Sequence, residues 1–177
     1  KGIKPRVILG RDTRASGEWI AVTLICSMMT SGIEDATDVG VISTPGLAYL
    51  TRHHGFDLGI MISASHNPYE DNGIKIFGKD GFKLTDAQEL EIERLIEELP
   101  PQLPNQSPPS RVTSSQLVPE YIDFLKNQTK TRLGRLRIGL DVCNGSAHAI
   151  APQVFRELDA SVVVINDKPD GKNINLN

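Results

Sequence analysis

The chain has 177 residues, a mass of 19.4 kDa and a net charge of −3, with 39% apolar and 23% charged residues. That composition is ordinary for a water-soluble globular chain, and the charge argues against a general polyanion (nucleic-acid) binder. No apolar run approaches a membrane span, and two isolated cysteines, Cys26 and Cys143, support neither a disulfide framework nor a zinc site.

A chain of this length buries roughly two-thirds of its unfolded surface without a covalent or metal staple. The lack of a secretion signal makes a reducing cytoplasm the expected compartment. The first residues lead directly into an apolar run with no initiating Met, so both ends read as cut from a longer protein.

Val7-Ile8-Leu9 is a short apolar run ending at Gly10, which suits a buried strand. The polar loop Arg11 to Gly17 follows, and Ser16 is placed to cap a helix over 18–30. Trp19, Ile20, Val22, Leu24, Ile25, Met28 and Met29 surround that helix, which predicts that it is well buried. Gly32 is its expected stop. A second strand is predicted over 38–42, and Pro45 opens a helix reaching Arg52 or His53. Leu58 to Ile62 is nearly all apolar, as in a strand covered on both faces. A weak alternation over 74–77 suggests a fourth strand.

Thr85 and Gln88 have capping-box spacing, and Ile92, Leu95, Ile96 and Leu99 follow at helical spacing. A helix is therefore predicted over 86–99. Five prolines fall between Pro100 and Ser110, marking a linker placed at 101–116. A helix over 117–127, a strand over 137–142, a helix over 147–158 and a strand over 162–165 complete the chain. The alternation predicts an α/β protein with mixed, mostly parallel sheets flanked by helices, in two consecutive similar domains. The first occupies 1–100, and the second, incomplete, 117–177.

The densest group of reactive side chains is Ser63-Ala64-Ser65-His66-Asn67-Pro68, directly after the apolar strand over 58–62. Ligands in α/β sheets bind beyond the carboxyl ends of strands. Ser65 offers a hydroxyl that can carry a group, His66 a proton exchanger near neutral pH, and Asn67 an anion contact. Lys75 supplies a point charge suited to phosphate. Ser-His-Asn-Pro is equally sound turn chemistry, so a plain loop is the competing reading.

Arg11 and Arg14, beside a helix N-terminus, could bind phosphate; an Arg–Asp pair stiffening the loop is the alternative. His53 and His54 are adjacent, do not share a helix face, and read as surface or helix-end residues. His148 has the same reading. Cys26 reads as core, and Cys143 as structural on a strand-end loop that could approach a substrate. The hydrolase elbow, the P-loop and the dinucleotide fingerprint are all absent.

Ser63 to Pro68, followed by Asp71-Asn72-Gly73-Ile74-Lys75, resembles the phosphoserine loop of the α-D-phosphohexomutases. Gly10 to Gly17 and Ser43-Thr44-Pro45-Gly46 resemble that family's first domain, in matching order and spacing. Asp170 to Asn175 and the turn Gly78 to Leu84 resemble the branch acting on glucosamine phosphates; the mannose- and glucose-phosphate branch is the alternative.

The resemblance implies an enzyme that interconverts 6-phospho and 1-phospho sugars. Ser65 would be its phosphoserine, and a sugar 1,6-bisphosphate its intermediate and activator. It implies Mg²⁺ bridging the Ser65 phosphate and an acidic loop, with Lys75 and His66 catalytic and Arg11, Arg14 and Asn67 in the phosphate loop. The implied ligand is a phosphorylated hexosamine or hexose; neither nucleic acid nor membrane is expected, and a homodimer stays open. A non-catalytic sugar-phosphate binder on the same scaffold is the other class of reading.

The family's Asp-Gly-Asp-x-Asp-Arg metal loop, its third-domain sugar loop and its fourth-domain phosphate loop have no counterpart in this sequence. The expectation is most of domain one and part of domain two, inactive in isolation.

Overall fold

A computed structural model describes residues 4–99 and 116–176. The linker placed at 101–116 therefore lies outside the described residues, except for Gln116 in a turn.

Strand β1 (Arg6–Arg11) leads into helix α1 (Ser16–Thr30), strand β2 (Asp35–Val41), helix α2 (Thr44–His53) and strand β3 (Leu58–Ile62). These strands pair in parallel, in the order β2-β1-β3, and β4 (Ile74–Gly78) closes the edge antiparallel to β3. The chain thus crosses from β2 on one side of β1 to β3 on the other. The crevice between the carboxyl ends of β1 and β3 is the point where such sheets bind ligands.

Successive residues of β1 point to opposite faces. Val7 and Leu9 join Ile25 of α1, Ala36 and Ile60 in one core. Ile8 joins Leu47 and Leu50 of α2, Met61 and Phe77 in the other. Leu47 and Leu50 are fully buried, each contributing about 1.5–3 kcal/mol.

The second core runs on into the rest of the chain. Helix α3 (Asp86–Glu98) is followed by α4 (Leu117–Lys126), β5 (Arg137–Asp141), α5 (Ile150–Glu157) and β6 (Ser161–Ile165). β5 and β6 pair in parallel as a separate two-stranded sheet. Tyr121 and Ile122 of α4, with Ile150 and Val154 of α5, are buried in the same cluster as Leu47 and Leu50. The close approach of α4 to α2 requires a glycine: a Cβ on Gly46 would stand 2.7 Å from the Tyr121 ring.

Three expectations need correction. Ser16 does not cap α1. Ala15 holds that position without a side-chain hydrogen bond, and the Ser16 hydroxyl accepts from Asn72 Nδ2 at 2.8 Å. Helix α1 is not well buried: Gly17, Ala21, Ile25 and Cys26 are covered, while Trp19 is 63% exposed. Only one face of it meets the sheet, so the remaining apolar residues stay at the surface. Helix α5 starts at Ile150 rather than 147, with Pro152 in its first turn, where the missing N–H costs no helical bond.

Helix α3 has both arms of the Thr85–Gln88 capping box, but buries none of its residues. Its apolar positions Leu90, Leu95 and Ile96 are exposed. Pro45 lies in the first turn of α2 as predicted, and Ser43 caps it by accepting from the Gly46 N–H at 3.3 Å.

Candidate active site

Strand β3 delivers Ser63 to the edge of the crevice. The Ser63 N–H donates to the Gly73 carbonyl at 2.9 Å, which closes the base of the 63–73 loop. The Ser63 hydroxyl then accepts from the Ser65 N–H at 3.1 Å. Ser65 takes a left-handed conformation, φ +57°, that L-residues adopt only when the surroundings hold them there. Its exposed hydroxyl lies 3.0 Å from His66 Nδ1.

The support for this strain lies beneath the loop. Arg14 and Asp12, both buried, form an ion pair. The same guanidinium donates through Nη2 to the Ser65 carbonyl at 3.1 Å and to the Asn67 carbonyl at 2.7 Å. Buried charges are tolerated only when paired and hydrogen-bonded, and here the pairing also shapes the loop. Asp12 is fixed in turn by its N–H, which donates to the Ile62 carbonyl at 3.1 Å.

The opposite wall comes from the second sheet. Asp141-Val142-Cys143-Asn144-Gly145 turns sharply after β5, with Cys143 and Asn144 at φ +48° and +49°. Thr13 donates to the Asn144 carbonyl at 2.5 Å, the Ala15 N–H to the Gly171 carbonyl at 2.9 Å, and Asn175 Nδ2 to the His66 carbonyl at 3.2 Å. These three bonds fasten the strand-end loops to each other. Between them lies a cleft of about 310 Å³ whose lining includes Asp12, Ser43, Ser65, His66, Cys143 and Asn175. The N-terminal end of α2 contributes Ser43, Thr44 and Pro45, and its dipole favours an anion there.

The structure therefore brings Ser65 and His66 to the cleft and leaves other expected site residues off its lining. Arg11 binds both carboxylate oxygens of Asp38, at 2.8 and 2.7 Å. Asn67 Nδ2 donates to Asp71 at 3.1 Å. Arg14 acts from below the loop. Lys75 stands on β4 opposite Met61, half-buried and without an ion partner among the described residues. Both arginines stand in Arg–Asp pairs. Thr13, Asn144 and Asn175 escaped notice in the sequence because their contacts join segments far apart in the chain.

Cys26 is buried as expected, while Cys143 is exposed and borders the cleft. Burial, then the carboxylate of Asp141, pushes the Cys143 thiol above its ordinary value. Asp141 itself is held below the usual range, first by the Asn166 side chain and then by the Cys143 N–H. His148 Nδ1 donates to the Gly145 carbonyl, 3.0 Å away, a structural role.

Mg²⁺ takes oxygen ligands in near-octahedral geometry. The one carboxylate in the cleft lining is Asp12, and Arg14 occupies it. The described residues do not by themselves fit that ion.

The family of phosphoglucomutases and phosphomannomutases, through its α/β/α domain I, matches residues 1–102, and the chain belongs to it. It is 49% identical over 177 residues to a phosphoglucosamine mutase of Staphylococcus haemolyticus, covering 98% of this chain and 39% of that protein. A phosphoglucosamine mutase of Staphylococcus aureus strain Newman is 48% identical, with 99% and 40% covered. The chain thus spans about two-fifths of the length of these curated relatives.

The fold is shared with two solved structures. One is a phosphoglucomutase/phosphomannomutase family protein from Burkholderia thailandensis, with TM-score 0.68, 22% identity, and 94% of this chain and 37% of that one covered. The other is the exocytosis-sensitive phosphoprotein parafusin, a phosphoglucomutase from Paramecium, with TM-score 0.71, 19% identity, and 96% and 37% covered. Among the described residues, no helix is long and apolar enough to cross a membrane.

Proposed function

We propose that this chain carries the phosphoserine portion of a phosphoglucosamine mutase, which interconverts glucosamine 6-phosphate and glucosamine 1-phosphate for amino-sugar nucleotide and cell-wall precursor synthesis. Residues 1–100 form its first domain and 117–177 part of its second. The observation that carries the reading is the exposed hydroxyl of Ser65, held in a strained loop at the strand crossover and 3.0 Å from His66 Nδ1. The glucosamine assignment draws on the identity to the two staphylococcal enzymes.

Phosphoryl transfer asks a protein mainly for positioning and charge neutralisation. In the forward step the Ser65 O–P bond breaks and a bond forms from phosphorus to the free hydroxyl of the sugar phosphate. The sugar hydroxyl gives up its proton, and the serine oxygen regains one. His66 Nδ1 is within reach to return that proton to Ser65 Oγ. The bisphosphorylated sugar turns over in the cleft, and its other phosphate returns to Ser65 by the reverse displacement. The serine splits one exchange into two steps.

Lys75 is the cation assigned to the transferring group. Mg²⁺, when bound, would offset charge on the transferring group, and the Ser65 phosphate is the ligand this chain would offer it. The sugar-bisphosphate activator primes Ser65. A cytoplasmic location agrees with two unpaired cysteines.

The test compares kcat/KM for glucosamine, mannose and glucose 6-phosphates on the full-length protein. Preference for glucosamine 6-phosphate, lost in Ser65→Ala, is expected. Preference for mannose or glucose phosphate would keep the mechanism and overturn the substrate.

A further inference from the structure

Away from the Ser65 cleft, the end of α2 meets the first turn of α4. His53 and His54 close α2, and Glu120 lies in the first turn of α4. One donor atom from each of the three lies within 4.8 Å of the other two. His54 Nε2 stands 2.9 Å from Glu120 Oε2, yet that nitrogen is buried and makes no hydrogen bond. The two imidazole planes are 87° apart, so the rings approach from different directions. The His53 ring is stacked on Tyr49 at 5.0 Å, and Tyr49 on Phe124 of α4 at 4.0 Å.

We propose that His53, His54 and Glu120 form a second, separate site for a late first-row divalent cation, with zinc as the occupant. Two imidazoles and one carboxylate make a three-ligand zinc set that leaves a fourth position for water. Mg²⁺ prefers oxygen donors, whereas imidazole suits zinc and its neighbours. Tetrahedral bonds of about 2.0–2.1 Å place donors roughly 3.4 Å apart. The donor atoms must therefore close by at most about 1.4 Å, within side-chain rotation for His53 and Glu120, both of which are exposed.

The orphaned nitrogen of His54 explains itself on this reading, because a cation shared with Glu120 would give it the partner that it lacks. The ion would tie α2, whose first residues line the Ser65 cleft, to α4. It would add a bond across a contact now held by Tyr121, Gly46 and the aromatic stack. The sequence hides this site, because the two histidines are neighbours and the carboxylate comes from a helix beyond the linker.

The experiment titrates Zn²⁺ into purified, metal-stripped protein in excess Mg²⁺, which fills any hard oxygen site. One equivalent should bind with Kd on the order of 10 µM or tighter, and the melting temperature should rise. His53→Gln, His54→Gln and Glu120→Gln should each weaken binding about tenfold or more, while Cys143→Ser and His148→Gln leave it unchanged.

Absence of binding at about 100 µM Zn²⁺ would leave only a His54–Glu120 ion pair and overturn the proposal. Binding that survives His54→Gln, or is lost in Cys143→Ser, would overturn it too. Should a variant fail to fold, Co²⁺ added to the unmodified protein decides the matter by NMR. The ring signals of His53 and His54 must respond first; a first response at His66 or His148 would refute the site.

Discussion

The guanidinium of Arg14 donates to the carbonyl oxygen of Ser65 at 3.1 Å, so the buried arginine holds the backbone of that residue. Its partner Asp12 is equally buried. Replacing Arg14 by Met leaves that carboxylate without a counter-charge and should cost about 3–5 kcal/mol. Arg14→Lys keeps a charge but loses the planar fork, so it should fall between Met and wild type. Urea unfolding measures both. Unchanged stability in Arg14→Met would contradict the role given to the pair.

Ser65 tolerates its φ of +57° only because the surrounding bonds hold it there. Ser65→Gly relieves the strain and Ser65→Ala retains it. Glycine should therefore melt at or above the temperature of alanine, while both variants lose phosphoryl uptake completely. A melting order reversed by several degrees would show that the loop carries no strain at this residue.

The two strand-end loops meet at Gly171, φ +91°, whose added Cβ would lie 2.9 Å from Ala15 Cβ. Gly171→Ala combines backbone strain with a clash and should destabilise by about 1–3 kcal/mol. Hydrogen exchange should quicken at the Ala15 N–H, which donates to the Gly171 carbonyl. Exchange at wild-type rate there would mean that the segment docks elsewhere.

Cys143 borders the cleft with a thiol pushed upward, first by burial and then by Asp141. The thiolate reacts, so a raised value means slower alkylation at a given pH and a midpoint above the ordinary 9.0. Asp141→Asn removes the carboxylate's share and should move the midpoint down, though burial remains. A bound sugar phosphate should shield the thiol. Equal alkylation rates with and without saturating ligand would place Cys143 outside the occupied cleft.

Lys75 is half-buried and without an ion pair among the described residues, so its removal leaves no partner charge stranded. Lys75→Met should leave the melting temperature within a few degrees and lower kcat of the full-length enzyme about a hundredfold or more. A variant with full activity would remove Lys75 from the chemistry.

Much of the fold was legible because it is written locally. The apolar run of β3, Pro45 in the first turn of α2 and the Thr85–Gln88 box each depend on neighbours within four residues. Ser16 failed as a cap because Asn72, far along the chain, claims its hydroxyl. Trp19 looked like core because periodicity reports apolar character, not which face another element covers.

The same division runs through the site. Ser65 and His66 stood out because they follow a buried strand. Arg11 did not show its occupation by Asp38, a residue 27 positions away on a neighbouring strand. Asn175 did not show its bond to His66 across 109 positions. Pairings of that kind arise only when the sheet order is known.

Ser65 is the proposed phosphoryl carrier. Full-length protein should be incubated with a sugar 1,6-bisphosphate, digested and mapped by mass spectrometry, with Ser65→Ala alongside. One phosphoryl group on the peptide containing Ser65, absent from the variant and discharged by glucosamine 6-phosphate, is the predicted result. A phosphoryl group on any other residue, or none on a protein that still turns over, would contradict it.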